Sequence, residues 1–271
     1  MSEESETTGP GPEADRVLVS VSDGVADVVL NRVAKKNALD QAMFDAIVAT
    51  LDALREPAEA GEVRAVVLSG AGGVFSAGID LSLLAGGVGT TEQGGIQERT
   101  HGPANVFQHV GWGWRALPVP VIAAIEGVCF GGGLQIALGA DIRFATPQTR
   151  LAVMEARWAL VPDMAGFPLL RGNVRADVFR ELVYTGREVL GEEAATLGLV
   201  TRAVTDPRAE ALALARQMAD QAPATTRAAK RLLGLTLDDL ASPAEVLLAE
   251  SVEQEPLLLG ALAERLRAAG R

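Results

Sequence analysis

An apolar strand, a turn and three glycines follow one another in PVIAAIEGVCFGGGLQ, residues 120–135. Val119–Glu126 is apolar enough to predict a strand buried on both faces, and Leu134–Ala140 predicts a helix that begins at the glycines. Amides in the first turn of a helix have no partner within it, and the helix dipole adds positive potential there. Because missing side chains let a ligand approach the backbone, this stretch predicts a site for a negatively charged atom.

A similar turn precedes this stretch along the chain. Val63–Ser69 predicts another buried strand, and a run of glycines and then Phe75-Ser76-Ala77-Gly78-Ile79-Asp80-Leu81 follow it. A tight turn at the carboxyl end of a strand leaves backbone N–H groups without a partner in the sheet, and such groups can face a ligand. One amide from each turn would make an oxyanion hole, which stabilises negative charge on a carbonyl oxygen.

The glycine spacing has a second interpretation. Gly127, Gly131 and Gly133 are spaced as in the dinucleotide turn of short-chain dehydrogenases, which also need a Tyr with a Lys four residues later. The only tyrosine is Tyr184, and Glu188 occupies the fourth position after it. The turn also lies in the middle of the chain and not after the first strand, so the oxyanion hole is favoured over a nicotinamide site.

The flanking sequence predicts an α/β fold with a helical C-terminal region. Val17–Val21 and Val25–Asn31 predict a hairpin, and apolar residues recur at helical spacing from Leu39 to Leu54, with Pro57 expected to end that helix. A strand-strand-helix pattern recurs over the first two thirds of the chain. Further along, Ile142–Ala145 and Leu151–Val153 predict two short strands, and Glu155–Leu160 predicts a helix. Beyond Arg175 the sequence is mostly helical, with five predicted breaks at Gly186, Gly198, Pro207, Pro223 and Pro243.

Composition restricts the class of protein. The net charge is −11 without a cluster of Lys and Arg, which argues against nucleic-acid binding. Cys129 is the only cysteine, so no internal disulfide can form; we expect a buried thiol and a cytoplasmic location. The apolar runs are too short to span a bilayer, and no metal or P-loop motif is present. We therefore expect a soluble protein that binds no metal.

The chain divides into three predicted regions. Residues 1–15 are rich in Ser, Glu, Thr, Gly and Pro and predict a disordered tail, 16–205 form the core, and 206–271 form the helical C-terminal region. The segment Ala85–Gly102 predicts a mobile surface loop near a site. We expect His101 and His109 to lie at the surface. We expect Phe107, Trp112 and Trp114 to pack in the core.

Several motifs in order resemble the crotonase (enoyl-CoA hydratase/isomerase) superfamily. They are Asn31-Arg32 with Asn37-Ala38-Leu39, Ser76 to Leu81, Ala123-Ala124-Ile125-Glu126-Gly127 through Gly131-Gly132-Gly133-Leu134, and Ala140-Asp141-Ile142-Arg143, within roughly Val17 to Val204. The resemblance implies a crotonase-type spiral of ββα turns, with C-terminal helices that build a homotrimer or a dimer of trimers. It also implies an acyl-CoA substrate and no separate cofactor, since coenzyme A is part of the substrate.

The resemblance further implies how the substrate is bound. The backbone amides of Ile79 and Gly132 would hold the thioester oxygen as an oxyanion hole. Coenzyme A would run along Lys35–Leu39 and Ala77–Leu81, with two lysines near its phosphates. The substrate-binding residues implied in this way are Lys35, Lys36, Ala38, Ala77, Asp80, Leu81 and Gly131.

Carboxylates supply the acid/base chemistry of this family, and one of them is replaced here. Hydratases of the family use a glutamate three residues after the middle glycine and a second about twenty positions on. Gln135 occupies the first position and Glu155 the second. Glutamine cannot exchange a proton near neutral pH, so two-glutamate hydration is in doubt. Asp163 stands where dienoyl-CoA isomerases of the family place an aspartate relative to their glutamate.

The sequence thus predicts an enzyme that acts on the acyl chain of a CoA thioester in fatty-acid or related metabolism, with Glu155, Asp163 and Gln135 as catalytic candidates. Two alternatives stay open. One is a Δ3,5-Δ2,4-dienoyl-CoA isomerase in which Glu155 and Asp163 exchange protons with the chain. The other is a non-catalytic acyl-CoA-binding protein, because Gln135 replaces a hydratase glutamate.

Overall fold

The structure is a computed structural model that describes residues 15–85, 95–238 and 241–269. The predicted tail lies outside the described residues except for Asp15, and so does the 86–94 part of the predicted loop. The strands of the described part are β1 Val17–Ser22, β2 Val25–Leu30, β3 Ala65–Gly70, β4 Val121–Ile125, β5 Val128–Phe130, β6 Ile142–Ala145, β7 Arg150–Ala152, β8 Val189–Leu190 and β9 Arg202–Ala203. The helices are α1 Gln41–Ala60, α2 Leu81–Ala85, α3 Val106–Ala116, α4 Gly132–Gly139, α5 Gly166–Leu170, α6 Ala176–Thr185, α7 Gly191–Leu197, α8 Pro207–Ala219, α9 Pro223–Leu233, α10 Pro243–Leu259 and α11 Ala261–Ala268.

The strands form two sheets. The larger sheet has the order β1-β2-β3-β4-β6-β9, in which β1 and β2 are an antiparallel hairpin and all other pairs are parallel. A smaller sheet has the order β5-β7-β8. The predicted hairpin and the recurring strand-strand-helix units are confirmed, whereas β5, β8 and β9 have only two or three residues and were not predicted. The two glycine-containing turns follow β3 and β5, on the side where the site forms.

Both faces of the larger sheet are covered. On one face, Val28, Leu68 and Ala123 belong to a large apolar core that includes residues of α1, α3 and α4. On the other face, a second cluster joins sheet residues to the small side chains of α8 at Ala211, Ala215 and Ala219. Alternating strand residues point to opposite faces, so a strand buried by helices on both sides is apolar throughout. The predicted division of the chain at residue 205 stays a prediction.

Pro57 does not end the first long helix, so that prediction was wrong. Helix α1 continues to Ala60 and is capped by Gly61, whose φ is 81°. A proline within a helix removes one backbone donor, but near the C-terminus few bonds are affected. The carbonyl of Pro57 is then used by the amides of Glu62 and Val63, at 2.9 and 3.1 Å, which turn the chain towards β3.

The predicted breaks in the C-terminal region are confirmed. Pro207, Pro223 and Pro243 each lie in the first turn of a helix, where the missing N–H is not needed. Gly186 and Gly198 follow α6 and α7 in the left-handed conformation that ends helices. The predicted helical sequence at Glu155–Leu160 is shorter, a 3-10 turn over Glu155–Trp158.

The motif Ala140–Arg143 joins the core to the C-terminal helices. The carboxylate of Asp141 accepts the amide of Val121 and the ammonium group of Lys230 on α9, both at 2.8 Å. Arg143 is buried and donates to the carbonyls of Leu199 and Ala140 at 3.0 and 2.6 Å. Burial lowers the pKa of Arg143 to about 10. These bonds satisfy the charged groups inside the fold.

His109 is buried, so the expectation that both histidines lie at the surface was wrong for this residue. It lies on α3 and stacks on His101 with ring centroids 4.4 Å apart. Its Nε2 has no protein partner among the described residues. Trp114 is fully buried and Phe107 packs edge-on against Phe44, which confirms core packing for these two aromatic residues.

The buried His109 predicts a loss of stability in acid. Burial lowers its pKa, and His101 lowers it further. A group with a lowered folded-state pKa binds fewer protons in the folded state, so its contribution to stability is lost as pH falls below about 6.5. We expect His109→Phe to lose less of its melting temperature than the wild type between about pH 7.5 and pH 5.5. Equal losses in thermal denaturation would contradict this role. His101→Phe keeps the buried His109 and removes only the smaller of the two causes, so it should keep most of the wild-type loss.

Candidate active site

Two glycine-containing turns and one glutamate line a common pocket of about 60 Å³. The predicted residues Ile79, Gly132 and Glu155 meet here although they are far apart in the sequence. The complete lining is Ala77, Gly78, Ile79, Leu81, Phe130, Gly131, Gly132, Met154, Glu155, Trp158 and Leu160. The sequence analysis assigned no site role to Met154, Trp158 or Leu160; their closeness to Glu155 in the sequence was the available signal.

The backbone around Ile79 leaves its amide available. Leu39 donates to the carbonyl of Gly78 at 2.8 Å and accepts from Asp80 at 2.9 Å, as in a parallel strand pair. This pairing uses the groups on either side of Ile79, so the Ile79 N–H points away from Leu39. Within the described part of the chain, that N–H has no protein acceptor.

The amide of Gly132 is available for a different reason. Gly132 is the first residue of α4, where an N–H has no acceptor within the helix. The preceding amide, of Gly131, donates to the carbonyl of Ala152 at 3.0 Å, and the amide of Gln135 donates to Gly131. The turn is therefore held by its neighbours without using Gly132.

The two turns touch so closely that side chains would separate them. A Cβ on Gly78 would lie 2.7 Å from the carbonyl oxygen of Phe130 and 3.6 Å from the amide nitrogen of Gly132. A Cβ on Gly133 would lie 2.7 Å from the Cβ of Ser76. Gly78 also has a φ of 88°, which favours glycine. Glycine is thus required at these points for both amides to reach one pocket.

Asn37 holds the first turn in place, a role the sequence analysis did not assign. Its buried side chain accepts the amide of Arg32 at 2.7 Å and donates to the carbonyls of Ala71 and Val74 at 3.0 and 2.6 Å. Its own carbonyl accepts the hydroxyl of Ser76 at 2.8 Å. One buried amide therefore joins the chain before α1 to the turn after β3.

The predicted substrate-binding residues differ in their exposure and in their bonds to the rest of the protein. Lys35 and Lys36 are exposed at a short 3-10 turn, and Ala38 is buried. The carboxylate of Asp80 accepts Arg32 at 2.6 Å, and this bond holds the pKa of Asp80 well below its usual range. Asp80 is therefore tied to the protein, while the lysines point to solvent.

Gln135 and Glu155 form a buried hydrogen-bonded pair. The side-chain Nε2 of Gln135 donates to Oε1 of Glu155 at 2.6 Å. Its Oε1 accepts two backbone amides, from Met164 at 2.8 Å and from Gly166 at 2.9 Å. These bonds fix the orientation of the amide, because its oxygen can only be the acceptor and its nitrogen only the donor.

The second oxygen of Glu155, Oε2, is buried and has no protein partner among the described residues. Burial raises the pKa of Glu155, while the bond from Gln135 opposes this and the charge of Asp163 adds to it. An unpaired oxygen on a carboxyl group with a raised pKa, in a pocket with available amides, is suited to accept and return a proton.

Asp163 lies in a neighbouring pocket and not in the one that contains Glu155. That pocket has a volume of about 300 Å³. Asp163 is exposed as a whole, but partial burial raises the pKa of its carboxyl group. Its charge also contributes to the raised pKa of Glu155, so the two carboxylates are near each other without sharing one lining.

Membrane-spanning helices, metal-binding groups and a reactive cysteine are other features by which the described residues could indicate a function. No helix in residues 15–85, 95–238 and 241–269 has the length and apolar character needed to cross a membrane. The same ranges contain no group of three or more His, Cys, Asp or Glu residues that could hold a metal ion. Cys129 is buried as expected, and burial raises the pKa of its thiol.

The ββα units and the glycine-lined pocket agree with the crotonase class of α/β proteins that the sequence motifs resemble. Comparison with known proteins agrees: residues 20–255 match the enoyl-CoA hydratase/isomerase family, and the chain belongs to that family. The human mitochondrial enoyl-CoA hydratase domain-containing protein 2 is 33% identical over 222 residues, which are 79% of this chain and 72% of that protein. The mouse mitochondrial methylglutaconyl-CoA hydratase is 29% identical over 259 residues, 92% of this chain and 79% of that protein.

Solved structures confirm the predicted fold. The crystal structure of an enoyl-CoA hydratase from Bacillus anthracis has a TM-score of 0.79 at 27% identity, and the match covers 94% of this chain and 96% of that one. The fold is therefore the crotonase fold with C-terminal helices, as the sequence motifs implied.

Gly78→Ala tests whether the two turns must touch. The new Cβ would meet the Phe130 carbonyl and push the second turn away, so we expect turnover of an enoyl-CoA to fall about 10²-fold or more. Gly73→Ala is a matched control, because Gly73 also has a positive φ but no neighbour within 4 Å of its Cβ position. Both variants place a side chain at a positive φ, so both should lower the melting temperature through backbone strain. Equal turnover in the two would show that the contact is not needed.

Proposed function

We propose that the protein moves a proton along the acyl chain of a CoA thioester, with the amides of Ile79 and Gly132 holding the thioester oxygen and Glu155 acting as base and acid. Two available amides and one unpaired carboxylate oxygen line the same pocket, which supports these roles. Each oxyanion-hole donor stabilises the transition state by about 3 kcal/mol, because it meets charge that develops during the reaction.

The hydrogen bonds of Gln135 are the observation that favours isomerisation over hydration. Hydration needs one group to activate water and another to deliver a proton, whereas moving a double bond needs one group that takes a proton and returns it. Gln135 exchanges no proton, and its side chain is bonded to Met164, Gly166 and Glu155. We therefore favour isomerisation of an enoyl-CoA over two-glutamate hydration.

The proposed step balances without another reagent. Oε2 of Glu155 takes a proton from a carbon next to the double bond, and the electron pair moves through the chain onto the thioester oxygen. The amides of Ile79 and Gly132 stabilise that charge. Glu155 then returns the proton to a different carbon of the chain, so the product is an isomer and the enzyme is unchanged.

Replacing Glu155 tests the base directly. Glu155→Gln keeps the size and the bond to Gln135 but cannot take a proton, so we expect isomerisation of a 3-enoyl-CoA to fall by about 10²–10⁴-fold while acyl-CoA binding persists. In the wild type, activity should be lost as pH falls through the Glu155 pKa, which lies above its ordinary value of 4.5. Turnover measured over a range of pH tests the loss of activity, and calorimetry tests whether acyl-CoA still binds. Unchanged turnover would remove Glu155 from the mechanism.

Gln135→Glu is the companion variant. The new carboxyl group can still accept the two backbone amides, and its other oxygen faces Glu155 across the present 2.6 Å bond. Two carboxyl groups so close share a proton, which supplies the second proton-exchanging group. A gain of crotonyl-CoA hydration would indicate that the site keeps hydratase geometry. If wild type already hydrates crotonyl-CoA as fast as it isomerises, the choice of reaction is wrong.

A second candidate is isomerisation of a 3,5-dienoyl-CoA. It is favoured by Asp163, whose raised pKa and electrostatic effect on Glu155 suit a pair that exchanges protons at two ends of a diene. On this hypothesis Asp163→Asn lowers dienoyl-CoA turnover about 10²-fold or more and changes enoyl-CoA turnover little. Equal effects on both substrates would argue against the pair. Tight binding without turnover of any acyl-CoA would instead favour a non-catalytic binding protein.

The assembly and location predicted from the sequence belong to this proposal. A homotrimer or a dimer of trimers would cover the apolar residues that α9, α10, α11 and the turn after α9 expose: Leu233, Leu237, Leu247, Leu248, Val252, Leu258, Leu259, Leu262 and Leu266. We also propose that the protein acts in the cytoplasm and needs no cofactor besides the coenzyme A of its substrate. Lys35 and Lys36, which are exposed, are proposed to contact the CoA phosphates.

A further inference from the structure

The pocket that contains Asp163 is mostly apolar. Its volume is about 300 Å³, and three prolines and two aromatic residues contribute to its walls. The lining residues are Pro103, Ala104, Gln108, Trp112, Pro162, Asp163, Ala165, Phe167 and Pro168. Gln108, Asp163 and the indole N–H of Trp112 are the polar groups of this lining, so the pocket suits an apolar group and bears one carboxylate.

One segment of chain separates this pocket from Glu155. The amides of Met164 and Gly166 bind Gln135, which binds Glu155, while Pro162, Asp163 and Ala165 line the larger pocket. An acyl chain whose thioester lies at Ile79 and Gly132 and whose reacting carbons lie at Glu155 has this pocket beside it. This placement rests on the proposed function.

The negative charge of Asp163 is not balanced by a positive residue in the described lining of this pocket. Neither Lys nor Arg is among the described residues that line it. The nearby guanidinium of Arg99 is exposed and donates to Oε1 of Gln108 at 2.5 Å, and that oxygen also accepts the amide of Asn105 at 3.0 Å. Arg99 and Asp163 are both exposed, so water screens both charges, but only Asp163 is part of the lining. A negative group inside the pocket would therefore meet Asp163 as the nearest charge of the described lining.

We infer that Asp163 is a specificity-determining residue that excludes acyl chains ending in a carboxylate, so that the substrates are CoA thioesters of uncharged acyl chains. Two like charges about 4 Å apart repel by about 1 kcal/mol even in water, and by more where apolar walls displace part of the water. An apolar chain end loses nothing to that repulsion and buries its surface against the prolines and aromatic rings.

Saturated acyl-CoAs test this inference because they bind without reacting. We compare pentanoyl-CoA with glutaryl-CoA, which has the same number of acyl carbons but ends in a carboxylate, by titration calorimetry. The wild type is expected to bind pentanoyl-CoA at least about tenfold more tightly. An apolar wall alone also disfavours a carboxylate, so the variants decide what Asp163 contributes.

Asp163→Asn should tighten glutaryl-CoA about tenfold and change pentanoyl-CoA by less than about twofold. Asp163→Lys, which reverses the charge, should make glutaryl-CoA the preferred ligand. Asp220→Asn removes the same charge at the exposed end of α8 and should leave the ratio unchanged. Circular dichroism checks that each variant is folded.

Equal binding of the two ligands by wild type would overturn the inference, as would a ratio that neither Asp163 variant changes. These results leave the proposed function intact, because pentanoyl-CoA still binds. Failure of wild type to bind either ligand would instead overturn the proposed function and the inference with it. Since no ligand in the series is turned over, a catalytic effect of Asp163 does not alter the measured ratio.

Discussion

The close approach of two backbone turns is the constraint on which the site depends. The parallel neighbours β3 and β4 end at the same edge of the larger sheet; the first glycine-containing turn follows β3, and the second follows β5, the short strand after β4. Three backbone bonds join the two segments: Phe75 donates to Glu126 at 3.0 Å, and Ser76 donates to Val128 and accepts from Phe130, both at 3.1 Å. With these groups satisfied, the amides of Ile79 and Gly132 have no protein acceptor among the described residues, and both residues line the smaller pocket. A rigid pair of donors needs no reorganisation when charge develops, which is why backbone is suited to this role.

Replacement of a carboxylate by Gln135 changes the electrostatics beside Glu155 more than its shape. A carboxylate at this position would raise the pKa of Glu155 by repulsion, whereas the amide donates a hydrogen bond to the charged form and lowers it. Burial nevertheless wins, and the net shift is upward. The amide therefore leaves Glu155 as the one titrating group among the described residues that line this pocket, and it occupies only one of the two carboxyl oxygens. That arrangement favours a reaction in which a single group moves a single proton.

The features predictable from the sequence are the local ones. Apolar runs predicted β3 and β4, and glycine spacing predicted the turns, because strand burial and turn conformation depend on neighbouring residues. Pro57 was misjudged since the loss of one helix bond matters little so near Gly61. The burial of His109 and the three bonds of Asn37 depend on segments that meet only in the folded chain. Motif order identified Gln135 and Glu155 as neighbours in the site, but not that the backbone at Met164 and Gly166 fixes the amide.

The segment from Pro162 to Gly166 lines the larger pocket, and its backbone also supports Glu155 of the smaller pocket through Gln135. Two of its amides are fixed by Gln135, so its backbone position is set from the Glu155 side. Asp163 projects from the same backbone into the other pocket, where no bond to Gln135 or Glu155 involves its side chain among the described residues. A change of side chain at this position therefore alters charge in the larger pocket and removes none of the bonds that hold Gln135 and Glu155. Because backbone amides do the anchoring, the side chains of this segment can differ while the bonds that orient Gln135 beside Glu155 stay the same.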